Sequence, residues 1–211
     1  NYVQISKDRP INEYFVVHLL PNLRFFSFEM NLYNYQNFPK IARYTLPNFP
    51  KLMNLSLQGK FKISSLPSLE GIWMFYGHLN VESKQVPNLT SLRLSSGRIN
   101  GIFPALTSLS VTKDVNCSGL KDVTRFFPKL TDLQINDIQT LRIQDHPHLH
   151  KLTYTYSDSD EMDLYIENTP QLEELSLNIQ AWLSRVEIVE CTPKVELYRD
   201  TKIKEFIVSS T

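Results

Sequence analysis

The chain has 211 residues, with 42% hydrophobic and 21% charged side chains, the balance of a folded protein rather than a disordered one. Lysine plus arginine and aspartate plus glutamate each number 22, so the formal net charge is zero and gives no general pull toward nucleic acid or an anionic membrane. No run of about 18 apolar residues is present that would span a bilayer. In chain order, the first element is INEYFVVHL (11–19), whose near-helical apolar spacing predicts a helix that stops before Pro21. A phrase then begins to recur: apolar, proline, any residue, leucine, two residues, leucine, one residue, apolar. It reads LPNLRFFSF (20–28), FPKLMNLSL (49–57), LPSLEGIWM (66–74), VPNLTSLRL (86–94) and FPALTSLSV (103–111). LKDVTRF (120–126) again has helical spacing ahead of a proline, and the phrase resumes as FPKLTDLQI (127–135), HPHLHKLTY (146–154) and TPQLEELSL (169–177), with a worn copy at CTPKVEL (191–197).

From Pro67 to Pro193 the prolines are spaced 20, 17, 24, 19, 23 and 23 residues apart. Periods of that size are the mark of a solenoid, in which one repeat cannot bury its own apolar edge and stacking supplies the core. Alternation in L-x-x-L-x-L predicts a short strand, and stacked copies predict a parallel sheet. Apolar pairs two residues apart precede many of the prolines: Phe61/Ile63, Leu79/Val81, Leu141/Ile143, Leu164/Ile166 and Val186/Ile188. They predict a second, shorter strand on the far wall of each coil, with helices replacing it in some copies.

The period and the phrase are those of leucine-rich repeats. The copies GLKDVTRFFPKLTDLQI (119–135) and LPNLRFFSFEMN (20–31) resemble the irregular leucine-rich repeats of F-box proteins. The resemblance implies an α/β class: an irregular solenoid with a parallel inner sheet, short outer strands and occasional helices. It covers residues 1–211 as one array of about eight or nine repeats. One departure stands out. Where the template carries Asn or Cys after the strand, this chain has Asn31, Lys60, Gly77, Gly97, Asp114, Ile138, Ser157 and Gln180, so a buried asparagine ladder is not expected. The chain opens on Asn1 rather than Met and no polar capping repeat follows FIVSST (206–211), which reads as a piece of a longer array.

The resemblance implies a non-catalytic protein–protein interaction module, the substrate-recognition repeats of a ubiquitin ligase receptor inside the cell. The protein partner would sit on the concave face, and the Skp1 adaptor would be reached through an F-box absent from these residues. The alternative is a secreted or cell-surface repeat protein for adhesion or ligand sensing. The residue inside each L-x-L faces out: Ser27, Ser56, Trp73, Arg93, Ser110, Gln134, Thr153 and Ser176, followed outward by Phe75 and Thr155 among others. Trp73, Phe75 and Arg93 stand out, because Trp and Arg are enriched where partners bind. They lead the candidate partner-binding set, which Gln134 and Thr153 complete. The competing reading is that Trp73 and Phe75 fold over an irregular loop, as Tyr76 and Trp182 would.

Other clusters carry less. His146, His148 and His150 (HPHLH) read as solvated turn histidines, since no cysteine or carboxylate is spaced to complete a metal site. SDSDEMD (157–163) lacks the glycine and terminal glutamate of a calcium loop and reads as a solvated acidic loop, with Ser157 a candidate for an acid-directed kinase. The sequons at Asn54, Asn88 and Asn116 are about as many as chance gives, and glycans at the first two would block the inner face, which favours an intracellular chain. Cys117 and Cys191 read as free thiols of a reducing compartment, with a single disulfide as the alternative. No phosphate-binding loop, nucleophile elbow or dinucleotide fingerprint is present, so no cofactor, metal or catalytic residue is expected.

Overall fold

The computed structural model describes residues 2–7, 22–30, 44–46, 49–157, 162–179, 182–198 and 201–209. The phrase apolar-Pro-x-Leu closes a tight turn in coil after coil. The leucine N–H donates back to the carbonyl of the residue before proline: Leu52 to Phe49 (3.2 Å), Leu69 to Leu66 (3.1 Å), Leu89 to Val86 (3.1 Å) and Leu130 to Phe127 (3.0 Å). Proline occupies the second turn position, where its fixed φ suits the turn and no N–H is needed. The alternating residues that follow extend into a strand.

The strands are, in order, β1 (Tyr2–Lys7), β2 (Phe25–Met30), β3 (Tyr44–Leu46), β4 (Asn54–Ile63), β5 (Gly71–Glu82), β6 (Ser91–Leu94), β7 (Gly97–Asn100), β8 (Ser108–Thr112) and β9 (Val115–Cys117). They continue as β10 (Asp132–Asn136), β11 (Thr140–Gln144), β12 (Lys151–Tyr156), β13 (Met162–Glu167), β14 (Glu174–Ile179), β15 (Trp182–Val189), β16 (Lys194–Leu197) and β17 (Lys202–Ser209). A front wall runs β1-β2-β4-β5-β6-β8-β10-β12-β14-β16. The back wall is in two parts: β3, the second halves of β4 and β5, β7 and β9 in the first coils, then β11-β13-β15-β17. Every described pairing within these walls is parallel, from β1 with β2 to β15 with β17. The described residues therefore form a parallel β-solenoid.

Two expectations change. Among the described residues, the helical part of the α/β class shrinks to 3-10 turns at Ser83–Gln85 and Ser118–Lys121 and one α-turn, α1, at Val123–Phe126. Asp122 caps α1 by accepting from the Arg125 N–H (3.1 Å), and Pro128 follows at once, so LKDVTRF has no room for more. The turn sits where the back wall is interrupted and bridges the gap: Phe126 O accepts from the Phe103 N–H (2.9 Å) and the Thr124 hydroxyl donates to Gln144 O (2.7 Å). The outer strands are also not uniformly short, since β15 and β17 have 8 residues each against 4 in β16. The helix expected over 11–19 lies outside the described residues.

The core is a set of rungs. Leu55, Ile72, Leu92, Leu109, Leu133, Leu152 and Leu175 pair in register along the front wall and are all buried. The predicted back-wall pairs do the same, with Leu141, Leu164 and Val186 on one rung and Ile143, Ile166 and Ile188 on the next. Each fully buried leucine or isoleucine contributes about 1.5–3 kcal/mol, which an isolated coil could not collect. In β4 and β5 the chain passes from front to back wall without leaving the strand, and the corner is stacked glycine. Gly77 has φ +129°, and a Cβ there would fall 1.9 Å from the Gly59 carbonyl oxygen, so no other residue fits.

Candidate partner-binding face

The front wall presents its outward residues as continuous rows. The backbone at its leading corner fixes them: the carbonyls of Arg24, Met53, Glu70, Thr90, Thr107, Thr131 and His150 each accept N–H groups from the following coil. Side chains reinforce the stack, as the hydroxyls of Thr90, Thr107 and Thr131 donate to the carbonyls of Glu70 (3.0 Å), Thr90 (3.1 Å) and Thr107 (3.0 Å). This corner holds rows of side chains at the strand spacing of about 4.8 Å.

On this frame the predicted outward row is in register. Ser56 pairs with Trp73, Trp73 with Arg93, Arg93 with Ser110, Ser110 with Gln134, and Gln134 with Thr153. Trp73 and Arg93 are thus brought together directly, while Gln134 and Thr153 form a second adjacent pair beyond Ser110. Trp73, Gln134 and Thr153 are half-buried and Arg93 is exposed. Phe75 departs from the expected row. The pairing jumps from Leu57–Met74 to Gln58–Tyr76, so Phe75 is the residue skipped by a bulge in β5, and its side chain lies outside the description. Ser176, expected to be solvated, is buried between its strand neighbours Thr153 and Glu196.

Trp73 folds back along its own strand. A Cβ at Gly71 would come within 2.8 Å of Trp73 Cη2 and 2.7 Å of Asn54 Oδ1, so the indole uses the space that glycine leaves. The ring therefore lies against the sheet and points toward the leading corner. There an open groove of about 710 Å³ runs across successive coils, lined by Arg24, Lys51, Met53, Ser68, Glu70, Asn88, Thr90 and Ala105. Its floor is tied to the preceding coil at each step: Lys51 Nζ donates to Asn22 Oδ1 (2.7 Å), Ser68 Oγ to Pro50 O (2.7 Å) and Asn88 Nδ2 to Pro67 O (2.8 Å). The sequence carried this groove without announcing it, because its residues are the variable positions of the phrase.

The C-terminal half of the front wall is electrostatically different. Asp132, Lys151, Glu174 and Lys194 share one row with alternating sign. Lys151 Nζ lies 2.6 Å from Glu174 Oε2 and Lys194 Nζ 2.8 Å from Glu196 Oε1. The hydrogen bond to Glu174 holds the Lys151 ammonium above its usual range, and the one from Lys194 holds the Glu196 carboxyl below its own. The back wall there is cross-linked too, with the Arg142 guanidinium 4.5 Å from the Tyr165 ring centre and Arg185 3.0 Å from Glu187 and 3.7 Å from Glu205.

No family model, no curated protein and no solved structure matches this chain. The remaining candidates rest on the geometry alone. His146 is not a solvated turn residue: it is fully buried, on the position before proline that Phe103 and Phe127 hold in earlier coils. Its Nε2 meets Phe127 O at 3.1 Å and its Nδ1 accepts from the His148 N–H at 3.4 Å, the pattern of a neutral ring. Burial pushes its pKa down. Among the described residues no three His, Cys, Asp or Glu side chains are grouped to hold a metal ion, and no helix is long and apolar enough to cross a membrane. Both cysteines are free, and burial pushes the Cys117 thiol up to about 11, which keeps it protonated and weakly nucleophilic. Ser157 is exposed and its hydroxyl donates to Asp137 Oδ1 (2.8 Å), while residues 158–161 of the acidic loop lie outside the description. Of the sequons, Asn54 is half-buried beside Trp73's glycine, Asn88 is committed to Pro67, and Asn116 is exposed on β9.

Proposed function

We propose that the chain is a non-catalytic recognition module of the leucine-rich-repeat kind, holding a protein partner on its front wall. The observation that carries this reading is the in-register pair of Trp73 and Arg93 in a row whose neighbouring members are Ser56, Ser110, Gln134 and Thr153. Trp and Arg are enriched among the few residues that carry most of the binding energy of protein interfaces. In the fuller form of the proposal, the resemblance to F-box repeats makes the partner a substrate for ubiquitin ligation and Skp1 the adaptor of the whole receptor. An intracellular address fits the sequons, because a glycan on Asn88 would break its bond to Pro67.

Two measurements test it. Proteins captured on the wild-type chain are compared with those on Trp73→Ala/Arg93→Ala, with circular dichroism confirming that both fold. Loss of a specific partner, about tenfold or more as expected of paired hot-spot residues, supports the reading; unchanged capture sinks it. Recovery of Skp1 with the full-length protein supports the receptor form. Its absence, together with glycans at Asn88 or Asn116, favours the secreted alternative.

A further inference from the structure

The front wall divides into two electrostatic halves. In the C-terminal half each lysine on the Asp132–Lys194 row has a carboxylate within hydrogen-bond distance, so the charges neutralise one another within the wall. In the N-terminal half the cations Arg24, Lys51 and Arg93 border the groove and the indole, and Glu70 is the one carboxylate among the described groove-lining residues. Lys51 is held by the neutral Asn22 amide, which positions the ammonium without cancelling its charge. Arg24, Lys51 and Arg93 are all exposed.

We propose that this half of the front wall binds an extended acidic segment of a partner protein, a reading that rests on the recognition role above. The groove crosses the coils from Arg24 to Ala105, four steps of about 4.8 Å, or roughly 19 Å in all, which accommodates about six extended residues at about 3.3 Å each. Arg24 and Lys51 lie at one end of that path, where a carboxylate of the segment meets both cations, and Arg93 stands on the neighbouring row near its far end. Arginine pairs with a carboxylate through two parallel hydrogen bonds. Between the cations, Asn88, Thr90 and Ser68 offer polar groups for the peptide backbone, and the half-buried Trp73 gives one apolar side chain a flat surface. A nucleic acid suits the site less well. It demands a continuous cationic track and successive stacking rings, whereas Glu70 interrupts this track and Trp73 is one ring.

The test uses the whole 211-residue chain, a fluorescein-labelled oligoglutamate peptide and fluorescence anisotropy. The expected result is binding that weakens about tenfold or more between about 0.02 and about 0.2 M salt, as exposed charges become screened. Arg24→Glu/Lys51→Glu should weaken it by at least about fivefold, since each exposed pair is worth up to about fivefold and reversal adds repulsion. Lys151→Glu, in the self-paired half, should leave it unchanged. Equal loss with Lys151→Glu, equal binding of an oligolysine peptide, tighter binding of single-stranded oligonucleotide, or no binding at low salt would each overturn the proposal. If oligoglutamate fails while partner capture still depends on Trp73 and Arg93, the acidic-segment inference falls and the recognition role stands.

Discussion

His146 continues a pre-proline ladder that is apolar from Phe49 to Phe127, and its hydrogen bonds suit one protonation state. With Nε2 on Phe127 O and Nδ1 receiving the His148 N–H, the neutral ring is fully used, and a proton added at Nδ1 would face a donor instead of an acceptor. The other charged neighbour that acts on it is His148, of like sign. In the unfolded chain the ring titrates near its ordinary 6.5, and in the fold its pKa is lower. The unfolded state therefore binds more protons below about 6.5, so the contribution to stability is complete above that pH and is lost as pH falls through the folded value. Urea unfolding between about pH 5 and 7.5 should show a midpoint that drops on the acid side in the wild type and drops less in His146→Leu. Parallel pH profiles for the two chains would contradict this. The histidine triplet was legible in the sequence, but the burial of His146 was not, because the period alone does not say that a histidine can occupy the rung of Phe127.

At the scale of elements, the corner between walls has two solutions. The first coils run β4 and β5 through the stacked pair Gly59 and Gly77, at φ +120° and +129°, and Gly97 opens β7 at φ +138° against the Leu79 backbone. The later coils break the strand there, with Asp137 at φ +57° between β10 and β11; at the following corner, after the back-wall strand, Asp145, Asn168 and Glu190 take the positive-φ position that Gly101 holds after β7, and Asn168 Nδ2 donates to Asp145 Oδ1 at 2.7 Å. Gly77→Ala adds a Cβ into the Gly59 backbone and should cost about 3 kcal/mol or more, read as a lower unfolding midpoint with β-sheet circular dichroism retained at low temperature. A loss below about 1 kcal/mol would show that the corner opens more easily than the structure implies. At residues 77 and 97 the chain turns by backbone conformation, with glycine at positive φ. The apolar pairs of the back wall were readable from spacing of two. The reduction of LKDVTRF to one turn was not, because helical periodicity carries no information about the 3-10 turn and proline that confine it on either side.

Across the whole molecule, burial comes from the neighbouring coil. Leu177, Val186 and Ile188 are buried beneath the next strands, whereas their register partners Leu197, Phe206 and Val208 on the last described coil are 54%, 42% and 54% exposed. The same side-chain types thus differ only in having a following coil, as nearest-neighbour stacking requires. The repeat, the parallel register and the Trp73–Arg93 pair followed from the sequence because each depends on a periodic position. The groove and the bulge at Phe75 did not, since one depends on non-periodic side chains and the other on a local slip in pairing. The proposed role of the front wall is to hold a partner protein. Hydrogen–deuterium exchange on the chain with and without a captured partner tests it most directly. The result expected is added protection in residues 22–30, 51–58, 68–76 and 88–96, with β11, β13 and β15 on the back wall unchanged. Protection confined to those back-wall strands, or none on the front wall, would contradict it.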